Sequence, residues 1–570
     1  MTQRCLGFGA LALAIATAAC TGSITGSESD GSTGAPGQGP GLGGTATPGG
    51  GNGDPTVPIP EGAVGKLNLN GTPSYYRVVR LTNEQWTNST QALLGLASPP
   101  TQAEGFQTAV SGTTDFTNNE LVLSVDSRGW SDYQAAAEAL ATQVTSDAAL
   151  LSKLYAGTDG TGFIKTIGRR AYRRPLTNDE AAAYQKLFDS GASLSGSRSA
   201  FAKGASVVLE AMLQTPYFLY RSELGAAGSP LSSYEMAAKL SLWLRNTAPN
   251  DALLDAAAGP GKLDTAEGAV AVAKQMLDEP AAKSVMRRFH GEFLHFGRFA
   301  ELSKVGVANY DPALNPELAE SSYLFFDKIF SQGLGVKDIF TSTKGFVGPN
   351  MAKLYDGAAA PASGFTELDL GSNRLGYFLQ LPFLVLYAHN DEPDSIHRGV
   401  SMSLDVLCAP LGPPAAEIPP LPAYMPGQTN RMRVDAHTKG CGTICHNNMI
   451  NPLGFAFENF DGMGKFRETE THGAEVLPID ASGSFDFVDG TKAYKNAADL
   501  MSILSTDQQA HLCYAKKLAS FGLQRDIVDA DLPLLAALSA TSASSTGSVK
   551  QVMLDLVKQN AFRVRAGGAQ

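Results

Sequence analysis

The 570-residue sequence lacks several features that would identify a common class of protein. No apolar run reaches the roughly 18 residues that a membrane-spanning helix needs. The net charge is −11 and no stretch is rich in lysine and arginine, so we expect no nucleic-acid partner. A phosphate loop, a dinucleotide-binding fingerprint, HExxH and GxSxG are all missing, so no common enzyme class is indicated.

Long alternation of apolar and polar residues is also missing, so a large β-sheet is not expected. Helix signals dominate instead, and the length predicts three or four packing units. Three helices begin with capping-box patterns, in which Thr or Ser stands three residues before Glu or Gln: Thr82 with Gln85, Thr177 with Glu180, and Ser232 with Glu235. We therefore predict a mainly α fold of multi-helical tandem modules, with a further helix at 398–407 and short strands at 476–480 and 484–487.

The first 20 residues indicate an export signal, because one arginine precedes an apolar run, which small residues follow. Residues 17–20, Thr-Ala-Ala-Cys, resemble a lipobox, which predicts that Cys20 is lipidated and becomes the first mature residue. Ordinary secretion is the alternative. Residues 21–65 are rich in Gly, Ser, Thr and Pro, and we expect a disordered linker. The predicted location is the cell envelope, with a lipid anchor in the membrane.

The stretch GCGTICHNNMINPLGFAFENFD carries the main chemical signal of the sequence. Covalent haem attachment needs two thiols and an adjacent histidine, which Cys441, Cys445 and His446 supply with one residue more than the usual spacing. A second axial ligand is not identified by the sequence. Five side chains are candidates for it: Met425, Met432, His437, Met463 and His472.

Two other interpretations of these cysteines remain open. After lipidation four cysteines are left, and they allow two disulfides in three connectivities. One connectivity joins Cys441 to Cys445 and Cys408 to Cys513. Zinc is the second alternative, held by Cys441, Cys445 and His446 with either His437 or Cys408.

Motifs along most of the body resemble the planctomycete-type exported proteins that consist of tandem domains of unknown function. In chain order these domains are numbered 1587, 1595, 1592, 1588 and 1585, and many such proteins are described as cytochrome-c-like. The motifs are YRVVRLTNEQW, FIKTIGRRAYRRPLTNDE, LQTPYFLYRSE, HRGVSMSLDVLCAPLGPP, CHNNMINPLGFAFENFDGMGKFR and CYAKKLASFGLQRD. The resemblance implies five modules, which we expect at 70–135, 160–225, 226–340, 341–470 and 476–566.

The resemblance also implies a site in the fourth module. Cys441 and Cys445 match the thiols that would bind haem c, and His446 matches the proximal iron ligand. The sequence differs from the family pattern by the inserted residue and by Asn451, where aspartate is usual. A redox or electron-transfer role with a redox partner protein would follow. A non-enzymatic, disulfide-stabilised binding or scaffold protein without haem is the alternative.

Overall fold

The computed structural model describes most of the chain from residue 77 onwards. The described residues are 67, 69, 77–109, 114–308, 310–355, 358–390, 392–412, 420–439 and 445–565. All of them lie in one folded unit, Pro55–Gln570. The predicted signal (1–20), the predicted linker (21–65) and Cys441 lie outside the described residues.

The described chain is mainly α-helical, which confirms the predicted fold class. The helices of the first half are α1 (Asn83–Leu94), α2 (Ser127–Ser146), α3 (Ala148–Leu154), α4 (Gly160–Ala171), α5 (Asn178–Ala192), α6 (Ala200–Gln214), α7 (Pro216–Leu219), α8 (Ser233–Leu244), α9 (Asp251–Ala258), α10 (Ala266–Leu277) and α11 (Pro280–Phe293). Those of the second half are α12 (Leu314–Ser331), α13 (Val336–Thr341), α14 (Leu381–Leu386), α15 (Ser395–Ser401), α16 (Asn430–Thr438), α17 (Asn451–Phe455), α18 (Ala497–Leu504), α19 (Gln508–Leu523), α20 (Leu532–Ala543), α21 (Val549–Lys558) and α22 (Asn560–Arg563).

The described strands form four separate antiparallel pairs. They pair in order along the chain: β1 (Val78–Arg80) with β2 (Tyr220–Ser222), β3 (Lys344–Val347) with β4 (Thr366–Asp369), β5 (Thr469–His472) with β6 (Glu475–Pro478), and β7 (Gly483–Phe487) with β8 (Gly490–Tyr494). The two strands predicted from the sequence appear as β6 and β7, each as one half of a hairpin.

The capping boxes explain where three of the helices begin. In each, the hydroxyl accepts a hydrogen bond from a backbone N–H one turn into the helix, and the Glu or Gln side chain accepts from the N–H of the capping residue. Both bonds satisfy donors that have no partner within the helix. The predicted starts at Thr82, Thr177 and Ser232 are therefore confirmed.

The buried apolar side chains of the described residues form two clusters, whereas the chain length predicted three or four packing units. The smaller cluster runs from Leu81 to Leu219 and takes in Leu242. The larger one joins the rest of the chain, and in it α10 packs on α21 and α13 packs on α18. Trp243 contacts Phe562 with ring centroids 5.3 Å apart. The C-terminal helices thus complete the core of earlier ones instead of forming a core of their own.

Helices α15 and α17 cross in direct backbone contact, and this crossing positions the cysteine motif. A Cβ atom at Gly399 would lie 2.1 Å from the carbonyl oxygen of Ile450, and one at Gly454 would lie 1.9 Å from that of Ser395. Only glycine fits at such distances, so both residues fix the separation of the two helices. None of the described helices is both long and apolar enough to cross a membrane.

Candidate functional site

Cys445 and His446 stand at the start of the helical segment that the α15 crossing holds in place. Cys445 is half-buried and has a free thiol. His446 opens a π-helical turn, His446–Ile450, which continues directly into α17. Their side chains therefore project from consecutive positions of one ordered turn, whereas Cys441 precedes the described part of the motif.

The ring of His446 has a specific hydrogen-bond partner. Its Nδ1 atom lies 3.3 Å from Oδ1 of Asn451. Asn451 is 3% exposed, and its Nδ2 donates to the hydroxyl of Thr438 at 2.8 Å. Thr438 belongs to α16, so a buried amide links this helix to the histidine.

An open cleft of about 640 Å³ lies beside this turn, within the size range of roughly 300 to 1,000 Å³ that is usual for small-molecule sites. Arg431 lines this cleft, stacked over Phe455 at 5.1 Å and paired with Asp480 at 3.1 Å. Tyr494 lines it as well and donates to the carbonyl of Pro452 at 2.5 Å. The remaining lining residues are Asp435, Asn447, Asn451, Ser482, Gly483, Ser484 and Ala493.

The structure joins Cys408 and Cys513 in a disulfide with an S–S distance of 2.07 Å. Both side chains are buried, and the bond connects the chain just after the π-helical turn Met402–Val406 to α19. This pair belongs to one of the three connectivities that the sequence left open. Cys408 is therefore not available as a zinc ligand, and the zinc alternative is left with His437. Within the described residues, no group of three or more His, Cys, Asp or Glu side chains is arranged to hold a metal ion.

The five candidates for a second axial ligand differ in their surroundings. Met463 is buried in the larger core, and His472 stacks on Tyr424 with ring centroids 3.6 Å apart. The other three are more accessible: Met425 is 62% exposed, Met432 is 55% exposed and His437 is half-buried on α16. Neither Met463 nor His472 could become a ligand without losing these contacts.

The carboxylates of Glu458 and Asp461 both have structural partners. Glu458 is 1% exposed and accepts hydrogen bonds from Ser395 and, at 3.1 Å, from Asn430 Nδ2. Burial raises the pKa of Glu458 above its ordinary value. Asp461 accepts from the backbone N–H groups of Met463 and Lys465, which closes a turn. Neither carboxylate faces the cleft.

Arg398 lies at the centre of the same region and is completely buried. Its guanidinium donates to five backbone carbonyls, at distances from 2.9 to 3.2 Å: those of Leu384, Tyr387, Phe457, Phe460 and Asp461. Burial lowers the pKa of Arg398 to about 10, so the side chain remains charged at neutral pH. It joins α14, α15 and the chain after α17.

The sequence interpretation missed a cluster of two histidines around a buried carboxylate. Asp394 Oδ2 lies 2.5 Å from His397 Nδ1 and 3.4 Å from His389 Nε2. Burial is the largest single effect on the pKa of Asp394 and acts to raise it. The hydrogen bonds and charge of His397, together with the charge of His389, outweigh burial and hold that pKa below its usual value. The side-chain hydrogen bond with Asp394 raises the pKa of His397. The stretch HNDEPDSIH, with two histidines and three carboxylates in nine residues, was the available signal.

Five family models match the chain one after another. Each is described as a protein of unknown function, and they cover 80–146 (DUF1587), 160–223 (DUF1595), 231–356 (DUF1592), 374–470 (DUF1588) and 490–562 (DUF1585). The chain belongs to this five-domain family. The predicted series of five domains and its order along the chain are confirmed, whereas the cytochrome-c-like character stays a prediction. Neither a curated protein nor a solved structure matches the chain.

The domain ranges place the site at a junction of the five-domain chain. Cys445, His446, Asn451 and Thr438 all lie in the fourth domain, DUF1588. The cleft is lined by this domain, by residues 482–484 between the two domains, and by strand β8 of the fifth domain. The disulfide likewise joins the fourth domain to the fifth.

Proposed function

We propose that this protein is a cell-envelope lipoprotein whose fourth domain carries one c-type haem and serves in redox or electron transfer. The observation that carries the proposal is the pairing of a free, half-buried Cys445 with His446, whose ring is held by a buried hydrogen-bond partner. Metal-binding histidines typically have such a partner on the ring nitrogen that does not face the metal.

Two observations on the described residues support the haem proposal. The contact from His446 Nδ1 to Asn451 leaves Nε2 as the nitrogen available to iron. An open cleft lies next to His446, since Asn447 of the turn that His446 opens and Asn451 directly after this turn line it together with Phe455 and Arg431. In the proposal Cys441 and Cys445 form the thioether links and His446 is the proximal ligand. Bound haem would supply a one-electron iron couple.

The proposed location depends on residues outside the described part. Lipidation of Cys20 would anchor the chain, and residues 21–65 would tether the folded domains to the membrane. Two lines of support are the export-type segment before Cys20 and the disulfide, since stable disulfides are characteristic of oxidising compartments. A redox partner protein would exchange electrons with the haem.

A second candidate function is a binding or scaffold protein without haem. The Cys408–Cys513 disulfide favours it, because this bond holds two domains together and requires no cofactor. In this alternative Cys441 and Cys445 would form a second disulfide, and His446 would lie on the surface.

Expression in a host that matures c-type cytochromes separates the two functions. The haem proposal predicts a strong Soret band that persists after acid denaturation, and its loss in Cys445→Ser. His389→Gln, which changes a half-exposed histidine of the same domain, should keep the band. A colourless product without free thiols would refute the haem proposal and support the scaffold.

The anchor is tested separately by cell fractionation. The full chain should appear in the membrane fraction, and Cys20→Ser should release it to the soluble fraction. Equal distribution of both forms would contradict the lipid anchor without affecting the haem proposal.

A further inference from the structure

Asn451 is the buried residue that connects His446 to the body of the fourth domain. It is 3% exposed, and its amide oxygen and amide nitrogen each have one side-chain partner. Oδ1 lies 3.3 Å from His446 Nδ1, and Nδ2 lies 2.8 Å from Thr438 Oγ1. Thr438 is itself buried and is 2.8 Å from the carbonyl oxygen of Val434.

The hydrogens of these groups can be assigned from their partners. A carbonyl oxygen only accepts, so the single hydroxyl hydrogen of Thr438 is given to Val434. The threonine oxygen can then only accept from Asn451, which fixes Nδ2 on the threonine side and Oδ1 on the histidine side. Because Oδ1 only accepts, His446 must carry its hydrogen on Nδ1.

We propose that Asn451, oriented by Thr438, is a positioning residue that holds His446 in the Nδ1–H form and leaves Nε2 free to bind iron. The acceptor on Asn451 is the oxygen of a neutral amide. A carboxylate would make the imidazole a stronger base and favour ferric over ferrous iron, so the amide sets a higher reduction potential. The assignment of the His446 tautomer does not depend on haem, whereas the claim about the reduction potential rests on the proposed function.

The tautomer is measured on the haem-free full-length chain labelled with ¹⁵N in its eight histidines. The ring nitrogens of His446, assigned by their loss in His446→Gln, should show a protonated Nδ1 and an unprotonated Nε2. Asn451→Leu and Thr438→Val should convert this pattern to a mixture of both tautomers, while Thr438→Ser should restore it. A neutral His446 ring with the hydrogen on Nε2 and an unprotonated Nδ1 in the unmodified chain would overturn the proposal.

The potential is measured by redox titration of the haem-loaded chain. Asn451→Asp should shift the midpoint potential to a more negative value. Asn448→Asp is the matched control, because it adds the same charge to the turn that His446 opens, at an exposed position that does not line the cleft. Equal shifts in both variants would overturn the role of the acceptor, because they would reflect charge alone.

The two measurements distinguish the failure of this inference from the failure of the proposed function. A protonated Nδ1 in a chain that never binds haem would refute the haem proposal and support the positioning role. Haem binding by a chain in which His446 has the opposite tautomer would support the haem proposal and refute the positioning role of Asn451.

Discussion

At the scale of single residues, Arg398 determines how the chain is arranged around the site. Its five carbonyl partners come from segments on both sides of the cysteine motif. A guanidinium has five N–H donors in a fixed plane, so it can satisfy carbonyls that no secondary structure pairs. Lysine has three donors and a different geometry, so it could not replace arginine here.

We predict that Arg398→Met lowers the free energy of unfolding by more than about 3 kcal/mol, because several buried carbonyls lose their donor. Chemical denaturation with a fluorescence readout measures the change. Arg128→Met is the control, since Arg128 is 75% exposed and should shift the value by less than about 0.5 kcal/mol. Similar small effects in both variants would show that the carbonyls find other partners.

The burial of His290 leads to a prediction of how the free energy of unfolding depends on pH. It is completely buried between the carbonyl of Met286 and the hydroxyl of Tyr514, each 3.0 Å away, and burial lowers its pKa to about 3. Between its ordinary pKa of 6.5 and this value, only the unfolded chain binds the proton. Stability should therefore fall as the pH drops below 6.5, by up to about 1.4 kcal/mol per pH unit.

Urea unfolding at several pH values between about 7 and 5 checks this prediction. His290→Gln can still donate to Met286 and accept from Tyr514 but takes up no proton, so its stability should depend less on pH. His511, whose pKa is also lowered by burial, should keep part of the dependence in the variant. An unchanged pH profile would contradict the assignment to His290.

At the scale of elements, the contact between α15 and α17 sets the position of His446. Gly454→Ala would place a methyl group against the backbone of Ser395, which cannot move as a side chain could. We expect a loss of about 1 to 3 kcal/mol in unfolding free energy and a weaker Soret band in the haem-loaded chain. Thermal unfolding and visible absorption measure the two effects.

Gly297→Ala is the control for this change, because nothing lies within 4 Å of the added carbon. It should leave both stability and absorption nearly unchanged. A fully stable Gly454→Ala with normal absorption would show that the two helices separate at little cost.

The starts of α1, α5 and α8 could be predicted from the sequence, because capping boxes are local signals. The segment predicted as one helix at 398–407 is instead the end of α15 followed by the π-helical turn Met402–Val406. In this turn the N–H of Leu407 reaches back to Met402. The packing of this turn on α17 and α19 determines its geometry. The spacing of apolar residues along the sequence does not indicate such contacts.

The site was predictable only in part for the same reason. Cys445 and His446 follow from adjacency in the sequence, and Asn451 was noticed as a departure from the family pattern. Thr438 could not be identified, because it lies on another helix and meets Asn451 only through the fold. The buried network of Arg398 gave no local signal either.

At the scale of the whole molecule, the domains are joined by buried polar contacts as well as by apolar cores. Lys239 of the third domain lies 3.0 Å from Glu223 at the end of the second, and both side chains are buried. Burial lowers the pKa of Lys239 to about 8. Such contacts make the domains depend on one another for their stability.

The disulfide is the covalent connection at this scale, and it closes a segment of 105 residues. We predict that replacing both Cys408 and Cys513 by serine lowers the unfolding free energy by about 2 to 4 kcal/mol, chiefly because the unfolded chain gains freedom. Denaturation under non-reducing conditions measures the loss. Cys445→Ser is the comparison, and an equal loss there would contradict a specific role for the bond between the domains.

The pairing of Cys408 with Cys513 also has a consequence for biosynthesis. Two other cysteines, Cys441 and Cys445, lie between these partners in the sequence and are synthesised before Cys513. If oxidation followed the order of synthesis, Cys408 would first meet the wrong partner. In that case a disulfide isomerase, or early occupation of the two intervening thiols, would be required to reach the pairing of Cys408 with Cys513.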